Sequence, residues 1–227
     1  MKALLASLLL CGAALADVQV TIHVIEMPQE RAAELVTSGA DGGARFKQAR
    51  GFVKAGLARS YDTVVLRLVP GQKGTTESIH EHITPTEAEP PEGGGLGSGP
   101  PPAPPPKHVL PLRLPKVPES FATRNLGSSF DATIPELGKK TVDLNGEWHF
   151  AIHAGETVSE DWTDEFGNRH QVRRPTYVSF TTGMNRPLVT GGWALVSVQS
   201  SSDADGKIDP ARKLVVFVKA DDLHPGE

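Results

Sequence analysis

The sequence predicts a mainly β protein with two short helices, an α+β fold whose strands form a mixed or antiparallel sheet. Three observations carry this. Val18, Val20, Ile22 and Val24 alternate with Gln19, Thr21 and His23, the period of two that marks a half-buried strand. Leu126, Ser128, Phe130, Ala132 and Ile134 alternate in the same way with Gly127, Ser129, Asp131 and Thr133, so one face packs inward and the other meets water or a partner. Residues 213–218 read KLVVFV, and a strand apolar on both faces belongs at the centre of a sheet.

Ahead of the first strand, MKALLASLLLCGAALA places Lys2 before a short apolar run that closes on Ala14-Leu15-Ala16. This is a signal-peptide pattern, with cleavage expected between Ala16 and Asp17. The run is too short to span a membrane, and no later stretch is long and apolar enough to do so as a helix. The single cysteine, Cys11, follows Leu10, where a lipoprotein signal wants a small residue. It is expected to leave with the signal, so the mature chain offers no thiol to an oxidising compartment. The formal charge is −4 and no basic cluster stands out, which excludes electrostatic nucleic-acid binding.

The remaining elements follow in order. Pro28 suits the first turn of a helix, Ala32, Leu35 and Val36 make its apolar stripe, and Gly39 ends it. After a Gly-rich turn at residues 41–43, Phe46, Ala49, Val53 and Leu57 recur at helical spacing. Residues 63–69 are β-rich, and the Pro70-Gly71 turn predicts a hairpin joining Leu66-Arg67-Leu68 to the stretch that follows. Residues 89–118 are rich in Gly and Pro, including PPPAPPP, and predict an extended or disordered loop. Beyond it, Pro135 ends a strand, and a turn at residues 138–140 leads into the next. That strand sets Val142, Leu144, Trp148, Phe150 and Ile152 against Thr141, Asp143, Asn145, Glu147 and His149. Residues 161–174 read as a polar loop, and strands follow near Val178-Ser179-Phe180 and from Trp193 to Val198. Neither side of the Pro/Gly segment buries enough alone, so residues 17–227 are expected to form one domain around one mixed sheet.

Chemistry is sparse. His80 and His82 share a strand face about 6.6 Å apart, a spacing that could present two metal ligands. His149 is the best third candidate, and His153 lies too far along its own strand. An isolated pair of this kind is usually a solvated face, so no metal and no cofactor is expected. No Gly-x-Ser-x-Gly elbow, phosphate loop or His-Glu-x-x-His occurs. Glu77 and Glu81 share a face but do not make a glycosidase on their own. The reading is therefore non-enzymatic, with no catalytic residue. Of the tryptophans, Trp148 falls on the apolar strand face and belongs to the core. Trp162 falls in the polar loop, and with His170, Arg173 and Arg174 it would serve the alternative reading, a monomeric periplasmic module that binds a ligand or protein.

The order of short motifs is more specific than any one of them. VQVTIHVIE and a helix, then GQKGTTESIHEHITPTEAEPPE, FATRNLGSSFDATIPELGKKTVDLN, LVTGGW and KLVVFVKADDL resemble, in this order, the C-terminal β-domain of bacterial secretins. Secretins are the outer-membrane channels of type II and III secretion and of type IV pili. The resemblance is closest to secretin-like proteins of planctomycetes and verrucomicrobia, and covers most of the chain after the signal. Its motif residues are Gly71, Gln72, Pro85, Thr86, Glu87, Pro90, Pro91, Thr123, Arg124, Asn125, Gly127, Pro135, Gly191 and Gly192. In this likeness they are turns and strand ends rather than chemistry.

The resemblance implies an exported protein of the periplasm or outer membrane of a Gram-negative-type bacterium. Its partners would be envelope proteins, itself included as a homo-oligomer. After Gly191-Gly192 the chain reads WALVSVQSSSDADGK where secretins carry a Pro- and Gly-rich signature, which points to an accessory rather than a full pore. Deleting residues 93–106 should leave stability nearly unchanged, because loop length enters only logarithmically, at roughly 0.6 kcal/mol per doubling. Thermal melting of the deletion variant checks this.

Overall fold

The computed structural model describes residues 17–89, 117–163, 169–203 and 205–223. In chain order these form β1 (Val18–Pro28), α1 (Gln29–Thr37), α2 (Gly42–Lys54), β2 (Arg59–Leu68), β3 (Lys73–Glu89) and β4 (Val117–Thr133). After these come β5 (Thr141–Thr163), β6 (Arg169–Val189), β7 (Trp193–Ser202) and β8 (Ile208–Asp222). The strands build two four-stranded sheets, one ordered β2-β1-β8-β7 and the other β3-β4-β5-β6. Both draw strands from either side of the Pro/Gly segment. The expected single sheet is thus replaced by two, and the neighbours within them run antiparallel.

The chain divides into two compact units, Met1–Ile79 with Gly127–Glu227, and His80–Leu126. The first has three layers. Val18, Val20, Ile22 and Val24 of β1, with Leu214, Val216, Val218 and Ala220 of β8, face the second sheet. There they meet Phe130, Ala132, Ile134, Val142, Leu144 and Trp148. The opposite face of the same two strands carries Ile25, Met27, Val215 and Phe217, packed against Ala32, Leu35 and Ala49 of the helices. The run Leu214 to Val218 is therefore wholly buried, which is why it is apolar at every position. The second unit holds the outer parts of β3 and β4, where the Thr84 hydroxyl donates to the Ala122 carbonyl at 3.5 Å.

Local chemistry sets the helix ends. Pro28 lies just ahead of α1, with ψ 146° as its N-cap, rather than inside the first turn. Ala32 and Leu35 are buried, whereas Val36, expected in the same stripe, is exposed. Gly39 takes the left-handed φ of 65° that ends the turn after α1. Residues 41–43 are no separate turn: Asp41 caps α2, accepting from the Ala44 amide at 2.7 Å, and both glycines are helical. Leu57 lies past the end of α2 and is exposed.

Three sequence expectations need correction. The Pro70-Gly71 turn does not close a hairpin, because β2 pairs with β1 while β3 belongs to the other sheet. Turn residues announce a reversal but not the destination. β3 does not end at Pro85 but runs to Glu89; as an edge strand it has an unpaired side on which a missing N–H costs nothing. Glu89, Val117 and Pro118 likewise lie in strands, and residues 90–116 fall outside the described part. The polar loop at residues 161–174 is mostly ladder: β5 and β6 pair, through two register shifts, as far as Thr163↔Arg169, and residues 164–168 are not described. A hairpin end wet on both faces loses the apolar alternation that reveals a strand. Cross-strand pairs hold it instead, Arg169 with Asp161 and Arg173 with Glu156 at 3.6 Å.

Gly42 fixes how α2 lies on the first sheet. A Cβ there would stand 1.9 Å from the Trp193 carbonyl oxygen and 3.0 Å from the Ala194 Cα, both backbone atoms that cannot step aside. Gly42→Ala should lower stability by about 1–3 kcal/mol, the range for overpacking. Gly51, also within α2, has open space around its Cβ position, so Gly51→Ala should raise stability by about 0.5–1 kcal/mol through helix propensity alone. Melting temperatures of the two variants, moving in opposite directions, check the assignment.

Candidate functional site

Several motif residues sit where the chain changes sheet. Gly71, with φ 81°, turns the chain from β2 to β3, and its amide donates to the Ile134 carbonyl at 2.8 Å. The Gln72 amide closes the turn on the Val69 carbonyl at 3.0 Å. Gly191, with φ 75°, makes the return from β6 to β7, and its amide donates to the Ala220 carbonyl of β8 at 2.8 Å. The Gly192 amide bonds back to Val189 at 3.0 Å. Leu68 and Ala220 pair with Val18 and Val20, neighbours at the start of β1, so both crossovers lie at one end of the sandwich. Pro135, just past β4, follows Ile134 at this same end.

The other motif residues lie along strands. A Cβ on Gly127 of β4 would fall 2.1 Å from the Ser78 carbonyl oxygen of β3, so a side chain there would part the two strands. Thr123, Arg124 and Asn125 are exposed on β4. Pro85, Thr86 and Glu87 belong to β3, with side chains outside the described part, as are Pro90, Pro91 and Ala16 entirely. Asp17 is described, and its carbonyl accepts from the Leu223 amide at 2.8 Å.

The face of the second sheet turned away from the core is polar in cross-strand rows. Asp131, Glu147 and Gly183 form one row across β4, β5 and β6, Ser129, His149 and Thr181 a second, and Thr133, Asn145 and Asn185 a third. Hydrogen bonds from Thr75, then from Lys73 at 3.2 Å, hold the Asp131 carboxyl below its ordinary pKa. At one end of the face Pro135, Asp143, Asn145, Asn185 and Arg186 line an open cleft of about 310 Å³. The sheet's two outermost strands differ in charge. β3 carries Glu77, Glu81, Glu87 and Glu89 against Lys73, whereas β6 carries Arg169, Arg173, Arg174 and Arg186 and no acid. Among the described residues, β3 neighbours β4 alone in this sheet, and β6 neighbours β5 alone.

The His80 and His82 rings lie 6.3 Å apart on β3, and His149 sits exposed on β5. Among the described residues no group of three or more His, Cys, Asp or Glu could hold a metal ion. Trp148 and Trp193 serve different core clusters. Trp148 is fully buried, as expected, with its indole N–H shared between Ser128 at 3.0 Å and Asp62 at 3.1 Å. Trp193 stacks on Phe46 of α2 with ring centres 3.7 Å apart. Trp162 and His170 occupy paired positions in the β5–β6 ladder, not a loop, and their side chains lie outside the described part.

One polar cluster had no signal in the sequence. Glu26 is buried at the far end of β1, where its carboxylate accepts from Arg59 of β2, Arg212 of β8 at 3.0 Å and Ser201 of β7 at 2.6 Å. A single carboxylate thereby touches every strand of the first sheet. Burial pushes its pKa up, but the bonds from Arg212 and Ser201 and the two guanidinium charges outweigh burial and leave it below the ordinary value. A depressed carboxylate adds stability above its unfolded pKa, about 4.3, and loses it as pH falls through the folded value. Glu26→Gln should therefore cost about 2 kcal/mol at neutral pH, less than the roughly 3–5 kcal/mol of a fully buried broken pair because both arginines are partly exposed. Melting temperatures of the two proteins from neutral to acid pH should converge in the acid range.

No protein-family model and no curated protein matches the chain. Solved structures do. The secretin GspD of the type II secretion system in E. coli K12 matches 92% of this chain and 50% of its own at 10% identity, with a TM-score of 0.41. The type IV competence pilus secretin PilQ of V. cholerae matches 92% of this chain and 61% of its own at 9% identity and a TM-score of 0.41. The secretin-domain β-barrel of InvG from the Salmonella SPI-1 injectisome matches 93% and 64% at 7% identity and a TM-score of 0.39. The chain spans less than two thirds of each of these proteins, and what it is similar to in all three is a secretin.

Proposed function

We propose that this chain is a non-enzymatic, exported component of an envelope secretion or pilus-type assembly, secretin-like and accessory rather than a full pore. The observation that carries the reading is the second sheet's pair of open edges, one rich in glutamate and the other in arginine. An open edge presents unpaired N–H and C=O groups that another strand can complete. Edges of opposite charge favour the β6 of one copy beside the β3 of the next, a head-to-tail contact that closes into a ring when the rotation permits. The ordered secretin motifs support the same reading, and the polar rows on the sheet's outer face suit a surface that meets water.

The reading expects a multimer in mild-detergent extracts of native envelopes. Arg173→Glu with Arg174→Glu should dissociate it, and adding Glu77→Arg with Glu81→Arg should restore it. Cross-linking and native mass measurement read both. A chain that is monomeric throughout, with no envelope partner recovered, would sink the proposal. The accessory role expects no ion conductance from the pure protein in planar bilayers, and reproducible conductance would assign the channel instead.

A further inference from the structure

We infer that protonation of His23 releases α2 from the first sheet, making this helix a flap that lifts at acid pH. His23 is half-buried on the helix-facing side of β1, beneath α2. Its ring meets Phe46 of α2 edge-on at 5.6 Å and Trp193 of β7 at 6.4 Å. Phe46 in turn stacks on Trp193 and meets Phe217 of β8 at 5.3 Å. The Arg50 guanidinium of α2 stands 5.9 Å from the Phe46 ring centre. An imidazole on the sheet and a cation on the helix thus share one aromatic cluster, and charging the imidazole sets two like charges across the interface that holds α2 down.

The groups that could offset this charge are few. From β2, Thr63 and Ser60 offer hydroxyls at 2.8 and 3.4 Å, and Asp62 is the nearby carboxylate. Its oxygens are already engaged by the Trp148 indole and the Thr63 amide. β7 and β8 present Trp193 and Phe217, which do not titrate, and, one pair further along the same face, Lys219, whose ammonium is held by Asp221 at 2.7 Å. Burial first, and then the Arg50 charge, hold the imidazole below its ordinary pKa, with Asp62 opposing them. A histidine depressed in the docked state favours docking fully above its undocked pKa, about 6.5, and this support is lost as pH falls through the docked value.

Hydrogen exchange of the α2 amides, corrected for intrinsic rates, tests the inference on the full mature chain. Between pH 7.5 and 5, protection across residues 42–54 should fall several-fold, while residues 141–150 keep theirs. His23→Gln should abolish the fall. Arg50→Gln, which removes the guanidinium beside the Phe46 ring, should move the midpoint to higher pH by removing the repulsion. Constant protection in the wild type, an equal fall in His23→Gln, or an unmoved midpoint in Arg50→Gln would each overturn it.

Discussion

The run Leu214 to Val218 must leave water on both faces at once, and the rest of the first unit follows from that requirement. A strand covered on one face only would leave either Val215 and Phe217 or Leu214, Val216 and Val218 in solvent. At roughly 25 cal/mol per Å² of apolar surface, either omission is large against the stability of a whole domain. Two helices satisfy one face and a second sheet the other. β1, beside β8 along its full length, obeys the same rule and carries its own apolar residues on both sides near Ile25.

Burial this thorough makes each polar group inside it a structural commitment. The indole of Trp148 ties Ser128 of its own sheet to Asp62 of the other, so the bond that satisfies a buried N–H also holds the layers in register. Glu26 does the equivalent work within the first sheet. His23 differs: its ring is met by hydroxyls, the nearby Asp62 is already engaged, and the charge facing it from α2 is a cation. Two of the three positions lock the sandwich, and the third leaves one layer conditional.

Legibility in the sequence followed burial. β1, the inner part of β4, β8 and the core position of Trp148 could be read because their faces differ in polarity or because both faces are apolar. The outer β5–β6 ladder could not, because a two-stranded ribbon wet on both sides has no pattern to show. The Pro70-Gly71 reversal was visible as a turn, but whether a strand rejoins its predecessor or crosses to another layer depends on distant partners, here Ile134. Gly42 gave no hint of its role, since a glycine beside a helix cap looks the same whether or not a backbone lies against it. The motif order pointed to secretins, but did not say that Gly71 and Gly191 mark the two crossings between sheets.

Those two crossings have a consequence for how the chain reaches its fold. Because it leaves the first sheet after β2 and returns only at β7, the centre of that sheet is completed by two strands far apart in sequence. β1 meets its neighbour β8 only after both crossings have been made. Such long-range closure is slow. Until β8 docks, a folding chain of this topology leaves β1 open on one side, an edge that another chain can pair with or a chaperone can shield.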